Sequence, residues 1–281
     1  MKLFIYSTGL GLAIALNSLV FQDVTTAQMR LPHAAQKQAA KSVRFVRREV
    51  PPGRPPGGRY RGGGTRSIDS QMGCPAVTTP LIALVPFTEN YLPGQEDKPP
   101  ITHVWGYTTA AHPTLWFYVP YTNQSLSATF SLQNEDSSTE MYETSVSLPK
   151  QAGFIRVQVP ETKLALQAGN RYRWFLGIDC TSANASASPS TRETIYVEGT
   201  ILRDAVKPDL ASQLASASPE QKVALYAENG FWHDALNTLA ELRQQRPHDP
   251  ALLQDWQRLL EGMGTSRVFK PKDIESKPFV N

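Results

Sequence analysis

The sequence predicts a mainly β protein with α: an antiparallel β-sandwich followed by a C-terminal helical hairpin. Two observations carry this reading. Between residues 74 and 205 apolar side chains recur with period two, in short runs separated by turns rich in Gly, Pro, Asn and Ser. After Pro208 the period changes to 3.6. A chain of 281 residues, 41% of them hydrophobic, has room for one or two domains with a real core. Its mean hydropathy of -0.33 excludes a multispan membrane protein. The balance of 28 Lys and Arg against 25 Asp and Glu argues against a wholly disordered chain. With 2 Cys and 5 His there are too few ligands for a zinc ribbon or a haem protein, and no cofactor or metal is expected.

Residues 1–27 read as a signal peptide. Lys2 precedes an apolar stretch, residues 10–21, too short and too interrupted by Asn17 and Ser18 to span a bilayer, and a small-residue site ends at Ala27. The protein is therefore expected to be exported, to the periplasm, envelope or medium, with no transmembrane span after cleavage. An oxidising compartment lets the even pair Cys74 and Cys180 form a disulfide. In the chain-entropy model, closing a loop that long stabilises the fold by about 4 to 5 kcal/mol.

Residues 28–73 read as a basic arm. They hold ten Lys or Arg against Glu49 and Asp69, a net of +8, which leaves the chain from Cys74 onward at -5 because the whole is +3. The centre of the arm, rich in Pro, Gly and Arg around Arg54, Arg59, Tyr60, Arg61 and Arg66, has little to bury and is expected to be disordered or polyproline-like. Arg-Gly runs with a Tyr also suit single-stranded nucleic acid. Export argues against that partner and favours an anionic glycan, a lipid headgroup or the chain's own acidic body, with a plain solvated tether preferred.

The sandwich is expected over 74–205. The run 81–85 is continuously apolar; Leu115, Phe117 and Val119 alternate with Trp116 and Tyr118; and Ile155, Val157 and Val159 alternate with Arg156 and Gln158. Strands at 126–132 and 142–148 fill the middle, Tyr172, Trp174, Leu176 and Ile178 share one face, and Ile195, Val197 and Ile201 share another. No long helical period falls between them, so a parallel α/β sheet is not expected.

Residues 206–264 are expected to form the hairpin and a third helix packed on the sandwich. Ser218-Pro219-Glu220 is a start signal, with Ser as N-cap and Pro at the first helical position. Gly230 ends that helix, a second runs from Phe231 to about Arg246 before Pro247, and a third carries Leu252, Trp256 and Leu259. Residues 265–281 have little pattern and are expected to fray.

The catalytic screen is mostly negative: there is no Gly-x-Ser-x-Gly elbow, no His-Glu-x-x-His and no metal-spaced cluster. His103 and His112 flank one aromatic region, and His233 and Asp234, as helix neighbours, are expected to point apart. Glu135, Asp136, Glu140 and Glu143 fit a solvated hairpin better than a calcium site or a hydrolytic pair. The candidate binding residues are aromatic: Trp105, Trp116, Tyr118, Tyr121 and, on the hairpin, Trp232. If Leu115 and Phe117 face the core, Trp116 and Tyr118 face outward, either free to stack on a sugar or a protein, or covered by the hairpin. The covered arrangement is preferred.

Three resemblances follow from particular residues. Leu166-Gln167-Ala168-Gly169-Asn170-Arg171-Tyr172 resembles the tyrosine corner of immunoglobulin-like and fibronectin-like domains, with Ala168 in place of Pro. That resemblance implies a Tyr172 hydroxyl returning to upstream backbone. Tyr226, Gly230, Trp232, Ala235, Leu236, Leu242 and Pro247 resemble the second half of one degenerate tetratricopeptide unit. The run 113–121 with Trp116, then Tyr172-Arg173-Trp174, Gly199-Thr200-Ile201-Leu202-Arg203, the stretch 226–235 with Trp232, and Trp256 resemble the bacterial domain of unknown function family 928. The resemblance spans most of the mature chain and implies an exported bacterial protein, without carrying over a catalytic residue. The expected function is thus a non-catalytic envelope protein binding a protein partner, its arm tethered to an anionic surface. The alternative is a carboxylate-dependent hydrolase of cell-wall or secreted glycan, using Glu135 or Glu143.

Overall fold

Among the described residues, nine strands and four helices stack as three layers in the computed structural model: a six-stranded sheet, a three-stranded sheet and the helices. It describes residues 42–50, 55–62, 74–95, 97–122, 126–135, 139–163, 165–180, 194–264, 266 and 269–280. The expected signal peptide, the first part of the arm, Arg54, Arg66 and Asp136 lie outside the described residues. No helix among the described residues is long and apolar enough to cross a membrane.

The small sheet has the order β1 (Ile82–Ala83), β4 (Thr114–Val119), β7 (Gly153–Gln158), all antiparallel. The large sheet has the order β2 (Phe87–Asn90), β3 (Ile101–Thr108), β9 (Thr194–Arg203), β8 (Arg171–Asp179), β5 (Ser127–Asn134), β6 (Glu140–Ser145). The expected sandwich is therefore present, with one departure: β3 and β9 pair in parallel, Trp105 opposite Thr200 and Thr108 opposite Arg203. The alternating side chains of β4 explain the layering. Phe117 meets Phe130 and Trp174 of the large sheet edge-on, while Trp116 and Tyr118 turn to the other side.

Strands β2 and β3 are absent from the sequence reading. In β3, Val104, Trp105 and Gly106 are buried in succession, because both faces are covered, and the period-two signal is lost. The tyrosine corner is present as expected: the Gln167 backbone N–H donates to the Tyr172 hydroxyl at 2.8 Å, and Gly169 takes the left-handed conformation the turn requires, at φ 84°. Cys74 and Cys180 form a disulfide across 106 residues, joining the end of β8 to the segment that leads into β1. It ties one sheet to the other.

The helices are α1 (Pro208–Ser216), α2 (Pro219–Glu228), α3 (Trp232–Gln245) and α4 (Pro250–Glu261). Helix α1, missed from sequence, buries only Leu210, too little apolar surface to set a period. Helix α2 starts as expected, with a reciprocal capping box between Ser218 and Gln221. Helix α3 lies on β3 and β4 and is anchored by the Trp232 indole N–H, which donates to the Leu84 carbonyl at 2.7 Å.

Two expectations about order are corrected. The arm is not wholly loose: residues 42–50 form a strap over the helices, and 55–62 join the sheets. Phe45 packs edge-on against Trp232, and the Val46 N–H donates to Ala227 at the end of α2. Arg47 donates to the carbonyls of Phe87, Gly262 and Met263, placing its charge at the C-terminus of α4 where the helix dipole favours a cation. The sequence concealed this because the strap's few apolar residues are spaced among arginines that act through hydrogen bonds. The tail is not frayed either. Phe269 and Ile274 are buried, and Phe279 packs on Trp116, Phe154 and Trp256.

Candidate functional site

None of the aromatic candidates is an exposed platform. Trp116 and Tyr118 are 1% and 3% exposed, and Trp105, Tyr121 and Trp232 are buried as well. The Trp116 indole donates to Asn237 of α3 at 3.1 Å, while Phe279 closes its ring from the tail and the Lys277 ammonium sits over Tyr118. Hairpin and tail together supply the cover. Outward alternation on β4 thus meant a second buried face.

The candidate arm residues Arg59 and Arg61 belong to a short stitch. Arg59 exchanges both backbone hydrogen bonds with Glu198 of β9, and Arg61 forms a bridge with Ile82 of β1, so that one segment pairs with both sheets. Between them Tyr60 stacks on Phe87 at 3.7 Å and its hydroxyl donates to Glu89 at 2.9 Å. The Arg59 guanidinium lies over Tyr196. These are packing roles. The other two arm candidates, Arg54 and Arg66, lie outside the described residues.

Two features remain open. The first is a groove of about 460 Å3 between β6, at the end of the large sheet, and β7, at the end of the small one, lined by Tyr142, Thr144, Val146, Ile155, Val157 and Val280 among others. Because the Trp116 carbonyl faces β1, Leu115 and Phe117 face β7; the alternation then turns Phe154, Arg156 and Gln158 to the outer edge of β7. Phe154 is already paired there: its N–H donates to Pro278 at 2.7 Å and its carbonyl accepts from Val280 at 2.9 Å. Beyond it, the edge at Arg156 and Gln158 has no backbone partner among the described residues. An unpaired edge beside a groove of mixed polar and apolar lining is a template for another strand.

The second is a cavity of about 240 Å3 where the start of α3 meets the connection from β3 to β4, lined by Thr108, His112, Tyr226, His233, Asp234 and Thr238 among others. His233 and Asp234 both border it, while pointing to different places along the chain they meet. The reason is β3, which crosses the first turn of α3: His233 lies against Gly106, where a Cβ would come within 2.6 Å of Nε2, and Asp234 accepts from Thr109 N at 3.0 Å and Thr109 Oγ1 at 2.5 Å. His233 is 2% exposed, and neither of its ring nitrogens has a hydrogen-bond partner among the described residues. Burial holds its pKa down at about 3, so the ring is neutral, one nitrogen a donor and the other an acceptor. Burial also pushes the Asp234 carboxyl up, against the Thr109 hydrogen bonds. The Tyr226 hydroxyl is raised by burial and then by the nearby Asp234 charge. His112 Nδ1 is a further buried atom without a hydrogen-bond partner among the described residues. Each such orphan costs about 1 to 3 kcal/mol, so three around one cavity are unusual.

Other sequence candidates do not assemble. His103 is apart from this cavity and pairs through Nδ1 with the Pro56 carbonyl at 2.8 Å. Glu135 forms a bidentate pair with Arg171, at 2.8 and 3.3 Å, and Glu143 is exposed on β6. Among the described residues, no group of three or more His, Cys, Asp or Glu is placed to hold a metal ion. The start of α3 was the signal available in the sequence: a His-Asp pair directly after an anchoring Trp, with a Gly in the facing strand.

A comparison with curated proteins finds no match. A family model described as Domain of Unknown Function (DUF928) matches residues 61–273, which takes in both sheets, all four helices and the disulfide, while the strap lies ahead of it. By that match, which covers well over half of its length, the chain belongs to the DUF928 family.

Proposed function

We propose that the chain is an exported, non-catalytic binding protein of the bacterial envelope that takes an extended segment of a partner protein along the outer edge of β7. The observation carrying this reading is the pairing of Phe154 with Pro278 and Val280: the chain's own tail uses the first position of that edge, and the groove, lined by polar and apolar side chains alike, continues past it. Backbone hydrogen bonds from Arg156 and Gln158 would supply affinity, and the groove walls would select side chains. The Cys74–Cys180 disulfide supports export. Basic residues of the arm, Arg54 and Arg66 among them, would add attraction to an anionic glycan or headgroup surface. The glycan-hydrolase alternative loses support from Glu135, whose two oxygens are both engaged by Arg171.

The test is capture from native envelope extract with the mature chain, Arg156→Pro and Arg156→Ala, followed by mass spectrometry. Proline at 156 deletes only an outward N–H, which an edge strand tolerates, while alanine keeps the N–H and removes the side chain. One protein retained at near-equal amount by the parent and by Arg156→Ala, and released by Arg156→Pro, is expected. Equal retention by all three would refute the edge as the docking element. Release of reducing ends from cell-wall glycan would instead establish the hydrolase.

A further inference from the structure

The segment already seated on the β7 edge shows what that edge accepts. We propose that residues 278–280 are a stand-in for the partner, whose segment displaces them and sets an aromatic side chain of its own in the seat of Phe279. This rests on the proposed docking along β7 and adds the side-chain pattern of the docked segment. Residues 278–280 run parallel to β7, with Phe279 level with Phe154. Trp116, Phe154 and Trp256 form the seat of the Phe279 ring, at centroid distances of 5.4, 5.3 and 5.2 Å. The Arg243 guanidinium lies 5.1 Å from the same ring. Arg243 is 9% exposed, its Nη1 has no hydrogen-bond partner among the described residues, and its other ring neighbour is Trp256. A cation so placed is stabilised by π faces, so the seat selects an aromatic ring over an aliphatic side chain.

The backbone of 278–280 lies flush on the strand, since a Cβ on Gly153 would come within 2.5 Å of the Pro278 carbonyl oxygen. Yet the tail uses little of the edge. In a continuing parallel ladder the Val280 carbonyl would accept from the Arg156 N–H, and that bond is not made. A segment that kept the register past Arg156 and Gln158 would raise the two hydrogen bonds of 278–280 to about six. Its side chains follow from alternation: the one level with Phe154 enters the ring seat, as Phe279 does, and the next faces the groove, as Val280 does. The partner segment therefore runs aromatic, apolar, polar, apolar, polar, apolar. The seat lies within residues 61–273, which the family model matches, and the stand-in lies beyond them.

The probes are two blocked, fluorescein-labelled peptides, Lys-Pro-Phe-Val-Thr-Val-Thr-Val and the same sequence with alanine for phenylalanine, titrated into the mature full chain by fluorescence anisotropy. Hydrogen exchange at the Val280 amide, followed by NMR, reports whether the stand-in leaves. The phenylalanine peptide is expected to bind and to strip protection from the Val280 N–H, which in the free chain donates to the Phe154 carbonyl at 2.9 Å. The alanine peptide should bind at least about tenfold more weakly, having lost a buried ring and its cation contact. Phe279→Ala loosens the stand-in and should bind the phenylalanine peptide at least about tenfold more tightly than the parent does. Should that variant fold poorly, the two titrations of the parent decide the matter alone. The proposal is overturned if Val280 stays protected in the complex or if the two peptides bind alike; loss of both peptides in Arg156→Pro would then leave docking along β7 standing. It is overturned together with that docking if Arg156→Pro binds the phenylalanine peptide as the parent does. Failure of that peptide to bind either the parent or Phe279→Ala overturns it as well. So does a dimeric parent that Phe279→Ala renders monomeric, which would give the seat to the tail of a second copy.

Discussion

Strands β4 and β8 carry the same period-two pattern and end in different surroundings. In β8 alternate residues are buried and half-buried in strict turn, one face on the core and one face wetter. In β4 every residue is buried, because the large sheet covers one face and the helices with the tail cover the other. Alternation thus identifies a strand without saying how many of its faces are dry. What separates the two is composition. The second face of β8 carries Arg171, Arg173 and Asp179 beside one aromatic, Phe175, whereas that of β4 carries Trp116 and Tyr118 and no charge. A second face that holds large aromatics and no charged residue is asking for a further layer.

The difference can be broken most severely by releasing the two sheets from each other. Cys74→Ser removes a bridge across 106 residues. Equilibrium urea unfolding should show a loss of about 4 to 5 kcal/mol on the chain-entropy account. Acid should act on the helix-covered face next. His233 has its folded pKa held at about 3 against an ordinary 6.5, so the unfolded state binds the extra proton between those values. Its contribution is complete above pH 6.5 and is lost as pH falls towards 3, at up to about 1.4 kcal/mol per pH unit. Asp234, with its pKa raised, opposes this above its ordinary 3.8, where its contribution weakens as pH rises. Stability measured from pH 7 to 4 should therefore fall in the parent and stay flatter in His233→Phe.

A third test compares the strands directly. Trp116→Ala should cost about 3 to 5 kcal/mol, because both its faces are packed, and Phe175→Ala on the wetter face of β8 about 1 kcal/mol. Equal losses would mean that the outer cover of β4 adds little. The smallest effect sharpens the account of β8: Tyr172→Phe removes only the hydroxyl that accepts from Gln167 and should cost about 1 kcal/mol in the same assay.

Local rules made part of this fold legible. The Ser218 cap, the Gly230 stop, the Tyr172 corner and the alternation of β4, β7 and β8 each depend on residues within one turn or one strand. The cysteine pair was legible because the chain has only two. What stayed hidden depends on distant partners. The strand nature of β3 was masked because α3 packs on Gly106, and the order of the strap comes from Arg47 reaching carbonyls near the end of α4. The burial of the tail comes from Phe279 meeting Trp116 and Trp256. The cavity was hidden for the same reason, since His112 and His233 meet only when the connection after β3 crosses the start of α3.

The strap also has something to say about the order in which the molecule is completed. Val43 pairs with Asp255 and Arg47 with Met263, contacts separated by 212 and 216 positions. A segment made early thus waits for helices made last, and long-range closure of this kind is slow. Without α4 the strap keeps its contacts to Ala227 and Trp232 but lacks the seats of Val43 and Arg47 near Asp255 and Met263. The strap is thereby fastened by the helix that lies farthest from it in the chain.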